Sequence, residues 1–209
     1  MTSWWDRHIV PRLIKCACSQ GQIMKVRSKV VPLATGEVLE LGCGGGINME
    51  FYDRSQVTRL AGIDPSPKLL DMTRAVAAAR GIEADIRGGV GEAMPFADAS
   101  FDTVVTTFTL CSVDDAAAVL GEIRRVLRPG GTALFLEHGA APDADVAKWQ
   151  RRIEPVWIRI GGNCHLTRPI SDAYARAGFA VEKLGEGYMP KSPRPMAWVE
   201  YGTARALAG

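Results

Sequence analysis

The chain has 209 residues, 47% of them hydrophobic and 23% charged, which suits one sizeable buried core and excludes extensive disorder. A formal net charge of +2 gives no global reason to expect nucleic acid as a partner. No stretch nears the ~20 apolar residues of a membrane-spanning helix.

Charge is uneven along the chain. Through Val31, six basic residues (Arg7, Arg12, Lys15, Lys25, Arg27, Lys29) face one acid, Asp6, so this segment carries +5 and the remainder −3. A basic start containing Trp4 and Trp5 can lie on an anionic membrane surface. It can equally be a solvated helix whose apolar side covers the domain, and Pro11 interrupts any long lipid-facing stripe. Charged and apolar residues interleave there, unlike a cleavable secretory signal. The five cysteines (Cys16, Cys18, Cys43, Cys111, Cys164) are odd in number and scattered, as expected of reduced thiols in a cytoplasmic protein. Peripheral membrane contact stays open. One residue separates Cys16 from Cys18, not the two of a zinc or redox motif, and no metal site is expected.

From Glu37 onward, short apolar runs alternate with helical patterns, the signature of an α/β fold with a mostly parallel sheet. Strands are predicted at 38–41, 60–63, 84–87, 103–107, 132–137, 180–184 and 197–201. Ser66 and Pro67 read as the N-cap and first position of a helix that Gly81 stops. Asp114 or Asp115 opens another. Its Val119, Leu120, Ile123, Val126 and Leu127 recur at helical spacing, and Pro129-Gly130-Gly131 is expected to end it. Residues 143–160 carry Val146, Trp149, Ile153, Val156, Trp157 and Ile160 near a 3.6 period, between the fifth and sixth strands. Two segments fall outside the alternation, 1–35 and 139–170, and each is predicted to be a helical cap on a single domain spanning 1–209.

The first strand runs into Gly42-Cys43-Gly44-Gly45-Gly46. Glycines there let the chain turn tightly and let a ligand approach bare backbone at the carboxyl end of the sheet. The dinucleotide pattern G-x-G-x-x-G would need glycine at 47, where Ile47 stands, and no Gly-Lys-Ser/Thr follows for a phosphate loop. Glu40, two residues ahead of the first glycine, would repel a pyrophosphate but suit a cationic amino-acid end. Asp64 closes the second strand about twenty residues on, placed to accept hydrogen bonds from ribose hydroxyls.

This order, acid-x-G-x-G-x-G then an acid after the second strand, resembles the class I S-adenosylmethionine-dependent methyltransferases of small-molecule type. Met94-Pro95-Phe96, Ser100-Phe101-Asp102 and Val126-Leu127-Arg128-Pro129-Gly130-Gly131 extend the likeness across most of Glu37 to Phe179. The resemblance implies a Rossmann-like sheet of seven strands, mostly parallel with an antiparallel last strand and helices on both faces. It also implies S-adenosyl-L-methionine as cofactor, held by Glu40, Gly42, Cys43, Gly44, Gly46, Asp64, Pro65, Gly91, Glu92 and Thr107. The family usually has Asp where Val90 stands, so adenine would be read by backbone near Gly91 and Glu92.

Leu110-Cys111-Ser112-Val113, Glu137-His138, Trp149-Gln150, Glu154-Pro155-Val156-Trp157 and 162–168 (Gly-Asn-Cys-His-Leu-Thr-Arg) further resemble the alkyl-thiol S-methyltransferases and their bacterial relatives. That likeness favours a thiol or hydrogen sulfide acceptor. An amine or phospholipid N-methyltransferase is the alternative, and a silent cofactor-binding module a third reading. A thiol is partly ionised at neutral pH and strongly nucleophilic, so it needs an apolar chamber and little more. Phe108, Leu110, Trp149 and Trp157 are the candidate walls. His138, at the end of the fifth strand, and His165 are the candidate catalytic groups, the alternative for His138 being a loop hydrogen bond. Arg168 would bind an anionic group or pair within its loop.

Overall fold

Seven strands form one sheet. In the computed structural model, which describes residues 21–207, these are β1 (Gly36–Leu41), β2 (Val57–Asp64), β3 (Ala84–Gly88), β4 (Phe101–Thr107), β5 (Leu127–His138), β6 (Phe179–Tyr188) and β7 (Trp198–Ala206). Their order is β3-β2-β1-β4-β5-β7-β6. The first five pair in parallel, and β7 runs antiparallel to both β5 and β6. This is the mostly parallel seven-stranded sheet, with an antiparallel last strand, that the resemblance implies. Trp4, Trp5, His8, Cys16 and Cys18, with most of the basic segment and the first part of the 1–35 cap, lie outside the described residues.

Parallel strands covered on both faces need apolar side chains at successive positions, and the central strands supply them. Leu39, Leu41, Val104 and Phe135 join one buried cluster with Ile123 and Tyr174. Their neighbours Val38, Val105 and Leu134 join the opposite cluster with Val30, Leu70 and Ala77. The helices that cover these faces are α1 (Gly21–Val30), α2 (Pro67–Ala79), α3 (Ala116–Val126), α4 (Ala144–Ile160), α5 (Ile170–Arg176) and the short α6 (Arg194–Ala197). Ser66 caps α2 by accepting from Leu69 N. Asp115, rather than Asp114, caps α3 and accepts from both Ala117 N and Ala118 N.

Three boundaries differ from expectation. α3 stops at Val126, before the Pro-Gly-Gly, and Leu127 is already extended and pairs with Phe101. The residue ahead of a proline disfavours helix, and here Arg128 is drawn to Glu37 and Asp102 at 2.9 and 2.7 Å. β6 and β7 both run well past their apolar cores. Their ladder continues through Gly185, Glu186 and Gly187, because backbone pairing persists where side chains face solvent and the hydrophobic signal fades. Lastly, the helix start that commonly follows such a glycine turn is here a single 3₁₀ turn, Ile47–Glu50.

Within the 1–35 segment, α1 packs Ile23 against Leu136 and Val199 at the strand ends. Within 139–170, α4 is tied down by polar clamps. Gln150 Oε1 accepts from Ala141 N, and its Nε2 donates to Gly139 O and Pro195 O. Asp115→Ala removes the carboxylate oxygen that accepts from two amides at the start of α3, so it should cost about 1 kcal/mol. Urea unfolding is the check: the midpoint should fall while the slope stays constant.

Candidate active site

The glycine turn is built by exclusion. Gly42 sits at φ +68°, and a Cβ there would come within 2.3 Å of Thr109 Oγ1. Gly42 N and Cys43 N both donate to Ile63 O, which folds the turn back over β2. A Cβ on Gly44 would meet only Gly42 O, at 3.8 Å, so bare backbone faces open space. That is what a closely approaching ligand requires. Asp64 accepts from Gly44 N at 3.0 Å on one oxygen and from Ser66 N at 2.8 Å on the other. Burial raises its pKa and the two amides oppose the rise. Each carboxylate oxygen keeps acceptor capacity. Pro65 is exposed beside it, whereas Cys43 is buried with its thiol pushed far up, by burial first and then by Glu40 and Asp64. Cys43 is thus an inert wall.

Glu40 is 2% exposed. It accepts from Asn48 Nδ2 at 2.8 Å and Tyr52 OH at 3.0 Å. Arg27 reaches the same network from α1, donating from Nη1 to Asn48 Oδ1 at 2.6 Å and Thr107 Oγ1 at 2.7 Å. Burial pushes Glu40 up to about 7, while Tyr52, Arg27 and Asn48 pull it down. Arg27 is itself 3% exposed. At this position the basic start is buried, not solvated. Arg27, Asn48 and Tyr52 escaped the sequence reading because no local spacing links them to Glu40.

Where the family usually has Asp, Val90 is exposed and bridges to Ala93. A Cβ on Gly91 would meet Val119 at 3.0 Å, so glycine lets this turn pack on α3. The Glu92 side chain is spent on the amides of Asp114 and Asp115, at 3.1 and 3.3 Å. It holds the loop ahead of α3.

Beyond β4 the rim is organised by Glu137. Its Oε1 accepts from Thr109 N and Leu110 N at 3.1 and 3.0 Å, and its Oε2 from Cys111 N at 3.1 Å. Gripping three successive amides bends the chain just before them, and Phe108 stands at φ +56°, a strain on the order of 1 kcal/mol. The Phe108 ring then meets His138 edge-on, with centroids 4.8 Å apart. His138 Nδ1 lies 3.6 Å from Cys164 Sγ, which lies 3.7 Å from Cys111 Sγ. Of the two thiols, Cys164 is the more acidic, because the Cys111 thiol and then His138 favour its thiolate; Cys111 is correspondingly raised. Trp157 packs on this cluster with Ile153, Leu166 and Met196.

The remaining candidates divide. Leu110 is fully buried in the main core, so its side chain forms no open wall. Trp149 is 54% exposed on the outer side of α4, with Arg152 over its ring at 5.5 Å. Residues 149 and 157 differ by about 80° around a helix, which is why Trp157 faces inward and Trp149 does not. Arg168 donates from Nη1 to Leu110 O and to Val113 O, so it holds the loop after β4. His165 packs beside Glu154, whose two oxygens also accept from Thr167 N and Thr167 Oγ1. Its own amide donates to Cys111 O. These residues lash the 139–170 cap to the sheet.

Comparison with known proteins agrees with this geometry. A methyltransferase-domain family model matches residues 39–135. The chain is 40% identical over 175 residues to human thiol S-methyltransferase TMT1B, covering 81% of this chain and 69% of that protein. It is 38% identical over 169 residues to the rat protein, covering 79% and 66%, and 38% identical to human TMT1A, covering 74% and 64%. The chain therefore spans about two thirds of the length of these curated relatives. An S-adenosylmethionine-dependent methyltransferase from Mesorhizobium loti superposes with a TM-score of 0.66 at 18% identity, covering 90% of this chain and 98% of that one. That match shows the fold alone. The open face over Gly44, the carboxylate of Asp64 beside it and the buried Glu40 beneath suit a zwitterionic nucleoside. The chain belongs to the class I S-adenosylmethionine-dependent methyltransferases, and S-adenosyl-L-methionine is its cofactor.

Proposed function

We propose that this enzyme S-methylates a small thiol or hydrogen sulfide. The observation that carries the reading is the rim beside Glu137, where Phe108, His138, Trp157 and two cysteines meet. Among the described residues, the acids beside this rim are both engaged: the two oxygens of Glu137 serve three amides, and those of Glu154 accept from Thr167 N and Thr167 Oγ1 beside His165. An ammonium acceptor favours a carboxylate to hold its charge or take its proton, whereas a thiol is served by an apolar wall and one weak base. The relatives named thiol S-methyltransferases support the same assignment.

S-adenosyl-L-methionine supplies a methyl group already activated by its sulfonium. The chain then has to align, dehydrate and deprotonate. Asp64 would hold the ribose hydroxyls through its remaining acceptor capacity, and Gly44 offers the bare backbone beside it. Glu40 would face the amino-acid end from below, with Thr107 and Asn48 in the same network. Phe108 and Trp157 shape the acceptor side. His138 is the group placed to take a thiol proton, while His165 and Arg168 position the loops around it.

The test is an acceptor panel read as S-adenosylhomocysteine release: methanethiol, sulfide and an aryl thiol against phosphatidylethanolamine vesicles and a small amine. Thiols should turn over and amines should not. Turnover of lipid amine alone would overturn the assignment. In the same assay His138→Ala should lower turnover at least about tenfold, the smaller end of what a positioned base contributes, with cofactor affinity nearly unchanged.

Glu40 generates a pH prediction. Its pKa stands at about 7 without ligand, and pairing with the cofactor's ammonium requires the carboxylate. Above 7 the group is ionised and affinity should be flat. Below 7 a proton must leave on binding, so affinity should fall by up to about tenfold per pH unit. Calorimetry in buffers of unlike ionisation heat should find about one proton released per cofactor at acidic pH and none well above 7.

We also propose that α4 meets an anionic membrane surface. Trp149, Val156 and Ile160 are exposed along it, flanked by the exposed Lys148, Arg151, Arg152 and Arg159. An apolar stripe edged by basic residues is the pattern of an interfacial helix. Co-sedimentation with phosphatidylserine-containing vesicles should be salt-sensitive and should weaken in Trp149→Ala/Val156→Ser; equal binding by that variant would sink the idea.

A further inference from the structure

Three separate segments of the rim converge on one soft ligand set: Cys111 after β4, His138 at the end of β5 and Cys164 in the loop after α4. Their ligand atoms all lie within 4.8 Å of one another. Tetrahedral zinc, with Zn–S about 2.3 Å and Zn–N about 2.0 Å, needs sulfur–sulfur edges of about 3.8 Å and sulfur–nitrogen edges of about 3.5 Å. Cys111 and Cys164 stand 3.7 Å apart and Cys164 and His138 3.6 Å apart, so both pairs already match those edges. Leu166, Ile153, Met196 and Trp157 surround the sulfurs, an apolar shell that limits competition from water.

The supporting shell is also in place. Glu137 fixes the Cys111 amide at 3.1 Å. Asn163, next to Cys164, donates to Ser112 O at 3.0 Å and so ties the loop of one cysteine to the loop of the other. The indole N–H of Trp157 is buried short of a full hydrogen bond, beside a sulfur that would carry negative charge once coordinated. Metal sites are commonly completed by such outer donors and braces.

We propose that Cys111, His138 and Cys164 form a zinc(II) site of the Cys2His type with one coordination position left for an exogenous ligand. Loading takes both cysteines as thiolates, releases to solvent any thiol proton they still carry, and uses the neutral imidazole. The further step, that an acceptor thiolate takes the fourth position, rests on the S-methylation reading above. There the thiol gives its proton to solvent as it coordinates; the base role given to His138 above belongs to the metal-free protein. Transfer forms the acceptor S–CH3 bond and breaks the sulfonium C–S bond. The neutral thioether is a poorer ligand than the thiolate and departs.

The test uses the full chain carrying Cys16→Ser and Cys18→Ser, kept reduced and titrated with Co2+ as a spectroscopic substitute for zinc. One equivalent should produce a sulfur-to-cobalt charge-transfer band and intense tetrahedral d–d bands. Cys111→Ser and Cys164→Ser in that background should each weaken binding more than about tenfold, and Cys43→Ser should leave the bands intact. A folded, reduced parent protein without the charge-transfer band overturns the site, as do bands that survive in both cluster variants. Methanethiol added to the cobalt form should shift the d–d bands. Unchanged bands overturn the open position, whereas S-methylation is read separately as S-adenosylhomocysteine release and stands or falls on that.

Discussion

A carboxylate buried at the carboxyl end of β5 shapes one whole side of this protein. Glu137 has no exposed surface, and an ionised group there is stable only if every lone pair that faces the protein is used. Three consecutive amides of the loop after β4 donate to it, and the Cys111 side chain adds a further hydrogen bond. That grip turns the chain at Phe108, sets Cys111 inward and leaves His138, the next residue of the strand, at the rim. The loops from the 139–170 cap then close on this frame through Arg168, Asn163 and the His165 amide. Loosen Glu137 and none of these later contacts has a fixed target.

A second buried acid plays the matching part on the cofactor side. Glu40 lies at the end of β1, next to the point where strand order reverses between β1 and β4. Such switch points open crevices for ligands in parallel sheets. Its negative charge is met by hydrogen bonds from Asn48 and Tyr52 and by the nearby Arg27 guanidinium. Because Arg27 comes from α1, the network couples the docking of that helix to the electrostatics of the site. Burial leaves Glu40 close to neutrality in its proton equilibrium, a state that a cationic ligand shifts strongly.

Legibility followed the range of the interactions. The strands were readable where both faces are covered, since burial on both sides forces a continuous apolar run, as in β1 and β4. They were under-read in β6 and β7, where backbone pairing continues beneath polar side chains. Ser66 and the Asp114-Asp115 pair announced their helices because capping is an interaction over two or three residues. The glycine turn with Glu40 and Asp64 was readable for the same reason: the whole pattern runs from β1 to the end of the neighbouring β2. That Leu110 turns into the core and Trp149 toward solvent was not readable, because residue type does not say which way a loop or helix turns.

The sequence by itself determined the α/β class and the main elements, written in short-range patterns of turn, cap and alternation, and its motifs carried the resemblance that pointed to the family and the methyl donor. Only the tertiary structure decided how Arg27 enters the Glu40 network and how Glu137 is satisfied. It alone brought Cys111, His138 and Cys164 together, from positions up to 53 residues apart in the chain. Spacing arguments applied to Cys16 and Cys18 could not see such a cluster. Its ligands are assembled by the sheet and by the cap folded over its edge, so their proximity is a property of packing and not of any local motif.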